Sequence, residues 1–295
     1  MMTKTAMIAI AGRANVGKST LTNYLVGEKI AIVSNKPQTT RNRICGILTQ
    51  DNMQYVFVDT PGFHKSKSKL GDYMVSVTRE SIADVDMTIL LVEPIASIGP
   101  QEEALIRQLN KIGCPAVLAI NKIDTVEKDT LLSVIDVYSK AAAFNAIIPI
   151  SAKTGDGVEV LLEECSKYAI ESPFLFPEDA TTDQPEKQVM AEIIREKLLW
   201  CLEREVPHGT AVEITTFTER DNGIIDLDAT IYCEKASHKG IIIGKNGDML
   251  KKISSMARVD CEKFMGTRVY LTTWVKVKEN WRDSDFLVRN FGYRE

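Results

Sequence analysis

Long hydrophobic runs are missing from this sequence. No apolar stretch approaches the ~20 residues that cross a bilayer. The opening residues MMTKTAMIAIAG lack the long apolar core and small-residue cleavage site of a signal peptide. They read as a first strand entering a glycine-rich turn, and the expectation is a cytoplasmic protein, bound at most to a membrane surface. Histidine is scarce: His64, His208 and His238 lie far apart, which argues against a metal cluster. The six cysteines, Cys45, Cys114, Cys165, Cys201, Cys233 and Cys261, form no C-x-x-C pair, which argues for reduced, mostly buried thiols rather than a disulfide framework or zinc site. A dominant charge is missing too, and the formal net of −4 taken alone discourages binding to nucleic acid. Internal repeats and low-complexity tracts are also absent.

What is present is a two-part pattern. A chain of 295 residues with 44% hydrophobic and 26% charged residues allows two ordinary globular cores. Short apolar runs at 6–11, 44–49, 55–59, 88–92, 116–121 and 147–150 alternate with helical periodicity such as that of 101–112. This alternation predicts an α/β domain over 1–171, a mostly parallel sheet with helices on both faces and functional loops at the carboxyl ends of its strands. Residues 172–187 read as a linker, because 171–185 (ESPFLFPEDATTDQP) holds three prolines, with Phe174 and Phe176 available to pack. Residues 188–295 form a second, α+β domain with a C-terminal tail. Its expected elements are a helix at 188–204, strands at 210–217 and 225–233, an apolar run at 241–243 entering a glycine turn, a helix at 248–264 broken near Ser254, and a strand at 268–276. From 235 to 282 there are eleven Lys and Arg against four acids, a local net of +7 that attracts phosphate.

Four motifs sit at strand ends. Gly12-Arg13-Ala14-Asn15-Val16-Gly17-Lys18-Ser19, followed by Thr20, fits G-x-x-x-x-G-K-[ST] between a strand and a helix. Its backbone N–H groups curl around phosphate and Lys18 reaches the β- and γ-phosphates, while the Ser19 hydroxyl goes to Mg²⁺. Asp59-Thr60-Pro61-Gly62 places an aspartate for Mg²⁺ and a glycine N–H for the γ-phosphate. Asn121-Lys122-Ile123-Asp124 supplies a carboxylate that accepts from guanine N1–H and its amine, which adenine does not offer. Asn121 addresses the other edge of the base and the Lys122 stem lies over it. Ser151-Ala152-Lys153 follows the sixth strand, with the Ala152 N–H available to guanine O6. In the second domain Ile243-Gly244-Lys245-Asn246-Gly247 forms a G-x-x-G loop, with Lys251 and Lys252 close behind and Lys239 before it.

These motifs, together with Pro37-Gln38-Thr39-Thr40-Arg41, resemble the Era family of translation-factor-type GTPases, and the G-x-x-G loop with its element order resembles a type II KH domain. The resemblance covers essentially the whole chain. It implies GTP and GDP as ligands and a Mg²⁺ shell of Ser19, Asp59 and Thr40 (or Thr39), with Thr40, Gly62 and Lys18 assisting hydrolysis. It also implies a KH loop that clamps about four single-stranded nucleotides. The implied partner is the 3′ end of 16S rRNA, with a role in assembling the 30S subunit, as a monomer with peripheral membrane association. Two positions depart from common GTPase patterns. Phe63 stands where many GTPases carry a water-orienting glutamine, so hydrolysis should be slow or use a borrowed group; His64 is a substitute base or a solvated histidine. Ala14 replaces a proline usual in the family. Asn15 matches an asparagine that in some relatives helps hold K⁺ near the phosphates, so potassium stimulation is expected. Arg41 and Arg43 read as solvated switch-loop charges, with a finger in cis the alternative. Trp274, Trp281, Phe291 and Tyr293 pack the small domain or stack on bases, Trp281 being the best candidate for stacking. A tRNA-modifying GTPase, the first rival, should carry a long helical insertion and a C-terminal catalytic cysteine, neither of which is present. A passive RNA binder with a vestigial nucleotide site is the second.

Overall fold

The computed structural model describes residues 2–62 and 68–293, without the side chains of Arg79 and Ala83. Phe63 and His64 lie outside the described residues. The chain divides into two compact units, one of residues 2–31, 40–62 and 74–183, the other of 32–39, 68–73 and 184–293.

In the first unit β1 (Lys4–Ala11), α1 (Lys18–Val26), β2 (Ile44–Gln50), β3 (Met53–Asp59), α2 (Lys69–Ala83), β4 (Met87–Val92), α3 (Pro100–Ile112), β5 (Ala116–Ile120), α4 (Lys128–Ala141), β6 (Ala146–Pro149), α5 (Val158–Ser166) and β7 (Ile170–Glu171) follow one another. The sheet order is β2-β3-β1-β4-β5-β6, with β7 also paired to β1. β1, β3, β4, β5 and β6 run parallel, whereas β2 and β7 are antiparallel to their partners. Both faces are covered, so the central strands are continuous apolar runs rather than alternating ones. Ile8, Ile10, Phe57, Ile89 and Leu91 face α1 and α5, and Ala9, Ala11, Leu90, Val92 and Leu118 face α3 and α4. The carboxyl ends of β1, β3 and β5 therefore open onto one rim.

The proline-rich stretch after β7 is pinned along β2. Gln54 is fully buried, and its Oε1 accepts from the backbone N–H groups of Leu175 (2.8 Å) and Phe176 (3.0 Å). Ile47 N–H donates to Thr181 O at 2.9 Å, and Cys45 N–H to an Asp183 carboxylate oxygen at 3.0 Å. These bonds satisfy the outer edge of β2, which would otherwise be an open template for pairing.

The second unit contains α6 (Glu186–Cys201), β8 (Ala211–Glu219), β9 (Ile225–Cys233), α7 (Ala236–Ile243), α8 (Asp248–Met265), β10 (Val269–Val277) and α9 (Asp285–Asn290). β9 is central, antiparallel to β8 and parallel to β10. One expectation, the helix break near Ser254, changes, and two others are made specific. The run 241–243 is the last turn of α7, its β-branched residues tolerated because Ile242 packs in the core. The helix at 248–265 continues through Ser254, whose hydroxyl is satisfied by Leu250 O and Thr273 Oγ1, both at 2.8 Å, so it does not compete with the helical ladder. Trp281 is fully buried, donates to Gly209 O at 2.9 Å and packs on Phe291 and Tyr293, which removes it as a base-stacking residue.

Helix α6 is buried almost all round, including its consecutive charged residues Arg195, Glu196 and Lys197. Their burial is matched by partners. Glu196 accepts from Val33 N–H at 2.9 Å, Lys197 bonds Glu196 at 2.7 Å and also Asp260, and Arg195 bonds Glu192 and Thr39 O. Trp200 donates its indole N–H to Val33 O at 2.9 Å, and Lys36 reaches the carbonyls of Leu199 and Leu202. Residues 33–39 are thus held along α6 mainly by their backbone.

Candidate functional site

The glycine-rich loop after β1 closes on itself. Gly17 caps α1 with φ 103°, in the left-handed region, and a Cβ there would fall 2.3 Å from Asn121 Nδ2. Lys18 is buried, and its Nζ donates to the loop carbonyls of Gly12 (3.2 Å) and Arg13 (3.0 Å). Burial pushes its ammonium down to about 8, against the opposing pull of Asp59. Thr20 continues α1, half-buried.

Three oxygen side chains from separate segments meet beside it. Ser19 Oγ donates to Asp59 Oδ2 at 2.7 Å and lies 2.8 Å from Thr40 Oγ1, which in turn is 3.5 Å from the same carboxylate oxygen. Asp59 is fully buried; burial pushes it up to about 6, while Lys18 and the hydroxyls of Ser19 and Thr40 pull it down. Its Oδ1 has no hydrogen-bond partner among the described residues. A buried carboxylate with a free oxygen, beside two hydroxyls, is a hard-oxygen donor set that fits Mg²⁺, and the enclosed ammonium fits a phosphate. Gly62 lies against the loop, where a Cβ would come within 2.8 Å of Ala14 Cα. Thr40, not Thr39, is the threonine at this cluster: Thr39 Oγ1 donates instead to Lys36 O at 2.7 Å. Arg41 is 1% exposed rather than solvated, because the chain turns inward at Thr40 to reach Asp59; Arg43 is exposed.

The base-side loops are tied to the phosphate loop by one buried amide. Asn121 donates from Nδ2 to Val16 O at 2.7 Å and accepts at Oδ1 from Ala152 N–H at 2.9 Å. The Ala152 N–H is therefore committed to Asn121, and reaching guanine O6 means sharing or exchanging that bond. Ser151 Oγ donates to Asp124 Oδ1 at 2.8 Å and so aims the exposed carboxylate. Lys122 adopts φ 63° and lays its Nζ on Asn15 O at 2.8 Å; Asn15 and Lys153 are exposed.

Glu93, just past β4, was not legible from any motif. It bonds Lys122 and Arg13, while Arg13 also pairs with buried Glu102 at 3.3 Å. Burial raises the Glu93 carboxyl, but the bonds and charges of Lys122 and Arg13 outweigh it and hold the group below its usual range. The available signal was position alone, one more strand end on the rim where the motifs lie.

In the second unit, Gly244 follows α7 at φ 76°, and a Cβ there would meet Met249 Cβ at 2.7 Å. Asn246 and Gly247 are also left-handed, and α8 begins at Asp248. Lys245, Asn246, Lys251 and Lys252 are exposed, and Ile243 and Gly247 half-buried. Among the described residues no cluster of three or more His, Cys, Asp or Glu could hold a metal, and no helix is long and apolar enough to cross a membrane.

Residues 7–122 match the 50S ribosome-binding GTPase family and residues 205–282 the KH domain family. A GTPase Era of Ruminiclostridium cellulolyticum is 53% identical over 294 residues, covering 100% of this chain and 99% of the relative. A second, from Caldanaerobacter subterraneus subsp. tengcongensis, is 50% identical, with 99% of each chain covered. Among solved structures, Era in complex with MgGDPNP and nucleotides 1506–1542 of 16S ribosomal RNA superposes with TM-score 0.95 at 36% identity, covering 99% of this chain and 100% of that one. An Aquifex aeolicus Era variant bound to GDP and aluminium fluoride gives the same TM-score, identity and coverage.

Proposed function

The chain belongs to the Era family of GTPases, and from that premise we propose a GTP-hydrolysing switch that binds the single-stranded 3′ end of 16S rRNA through its KH domain during 30S assembly. The observation that carries this reading is the meeting of Ser19, Thr40 and Asp59 beside the buried ammonium of Lys18.

Lys18 neutralises the β- and γ-phosphates from a site where water does not compete. Ser19, Thr40 and Asp59 hold Mg²⁺, which when bound offsets the charge that develops during transfer. Gly62 offers its N–H to the γ-phosphate. Asp124, aimed by Ser151, selects guanine, while Asn121 and Lys122 fix the loops around the base. With Phe63 in place of a glutamine, turnover rests on positioning and charge rather than on a strong base. Domain limits of 1–171 for the GTPase part and 188–295 for the KH part, joined by 172–187, fit this division of labour.

The test is GTP hydrolysis with and without a single-stranded RNA copying the 16S 3′ end, beside a scrambled RNA and a Gly244→Asp/Lys245→Asp variant. Stimulation by the specific RNA, lost in the variant, is the expected result; hydrolysis with neither binding nor stimulation overturns the RNA half. Potassium stimulation is part of the proposal, supported by Asn15 beside the phosphate loop, and equal rates in KCl and NaCl would sink it. A cytoplasmic monomer with peripheral membrane attachment completes it, checked by light scattering and by flotation with anionic vesicles.

A further inference from the structure

The outward face of the C-terminal sheet carries two large aromatic side chains in the open. Tyr270 is 62% and Trp274 59% exposed, on alternate positions of β10. The register with β9 sets Tyr270 opposite Asp226, Thr272 opposite Asp228 and Trp274 opposite Thr230, so all share one face. At one end of this face the protein shows what it can bind. Arg220 donates from Nε to Asp226 Oδ2 at 2.6 Å, while its guanidinium carbon lies 5.6 Å from the centre of the Tyr270 ring. An aromatic ring and a carboxylate on adjacent strands thus cradle one arginine.

Further along the same strands Asp228 lies two residues beyond Asp226 and Trp274 four beyond Tyr270, so a carboxylate and an aromatic ring share the face again, here as diagonal neighbours and without an arginine. A strand spacing of about 4.8 Å and a two-residue rise of about 6.6 Å put their Cα atoms about 8 Å apart. The Asp228 side chain makes no hydrogen bond or ion pair, and Trp274 no ring or cation contact, among the described residues. Glu213 of β8, opposite Thr230, adds a second carboxylate, one of whose oxygens accepts from Tyr232 at 2.8 Å. Lys276 bounds the patch at the far end of β10 and adds a cation there. Indole is the strongest ring for a cation, and arginine is the side chain that stacks and pairs with a carboxylate at once.

We infer that this face is a docking site for an arginine-rich protein segment, with a guanidinium on Trp274 and its N–H groups on Asp228. Asp226, Asp228 and Glu213 repel a phosphate backbone, which favours a basic protein over RNA here.

The test uses the full chain and a synthetic ten-residue peptide alternating arginine and threonine, titrated by calorimetry at low salt. Trp274→Ala and Asp228→Asn should each weaken binding about three- to tenfold. The lysine version of the peptide should also bind more weakly, and Glu159→Gln on α5 should leave affinity unchanged. Both tested positions are exposed or half-exposed, and unchanged circular dichroism and melting temperature will show the sheet intact. Absence of peptide binding, affinity unchanged from the wild type in either variant, or a loss in Glu159→Gln as large as in Asp228→Asn overturns the site. Weaker binding of a single-stranded RNA by Trp274→Ala also overturns it, making the face a base-stacking platform instead.

Discussion

The phosphate loop and the G-x-x-G loop are both glycine-bracketed turns that lead into a helix, yet they are built in opposite ways. In the first, the cation is buried: Lys18 is 6% exposed, bonded to its own loop, with a fully buried carboxylate beside it and an asparagine tying the loop to its neighbours. In the second, the backbone turn is fixed by Gly244 against Met249, but Lys245, Lys251 and Lys252 stand in water. The contrast separates two routes to phosphate. One concentrates charge in a low-dielectric pocket where each hydrogen bond is strong and geometry is set in advance. The other offers solvated charges whose gain comes from counterions released by the strand. Salt should therefore divide them, weakening RNA binding steeply and nucleotide binding little.

The sharpest break in this comparison is Lys18→Ala. Removing a preorganised cation from a buried phosphate site should lower GTP turnover by about a hundredfold or more. Single-turnover assays at low and high salt will check both the loss and its insensitivity to salt; retained turnover would show that the pocket is not where phosphate sits. Next in size is the Gly244→Asp/Lys245→Asp pair, which adds a Cβ against Met249 and reverses the loop's charge. Affinity for single-stranded RNA should fall about tenfold or more at low salt and converge with the wild type as salt rises. Smaller again is Glu93→Gln. It keeps the side chain's shape but removes the charge shared by Arg13 and Lys122, and should weaken GDP binding about three- to tenfold. Unchanged binding by fluorescent nucleotide titration would reduce Glu93 to a bystander.

The same contrast explains what could be read without coordinates. Gly12 to Ser19, Asp59 to Gly62 and Asn121 to Asp124 stand out in the sequence because binding phosphate, metal and guanine imposes fixed spacings along a chain, and the proposed site rests on them. The strands that carry them were legible because a sheet covered on both faces needs unbroken apolar runs. Glu93, Gln54 and the trio Arg195, Glu196 and Lys197 were not legible. Each is a single polar residue, or a short charged run that looks like a solvated helix face, and it has a partner 63 to 163 residues away. Arg41 misled for the same reason, since nothing local marks a charge that the chain will turn inward. For Trp281 the packing reading holds over stacking, because its indole N–H is satisfied by the distant carbonyl of Gly209 rather than by a base.

The least of the effects is also the most specific to the open loop. Lys252 stands exposed near the start of α8, and its change to alanine should remove one proposed phosphate contact and nothing from the core. For a single strand the slope of log affinity against log salt should shallow by about 0.7. At low salt the affinity itself should fall only a few-fold, and by the same factor for specific and scrambled RNA, since a phosphate contact reads no sequence. A changed slope with an equal loss on both RNAs places Lys252 on the backbone of the strand. A loss confined to the specific RNA would mean that the side chain reaches a base edge, and the open loop would then be reading sequence with the same residues it uses to hold charge.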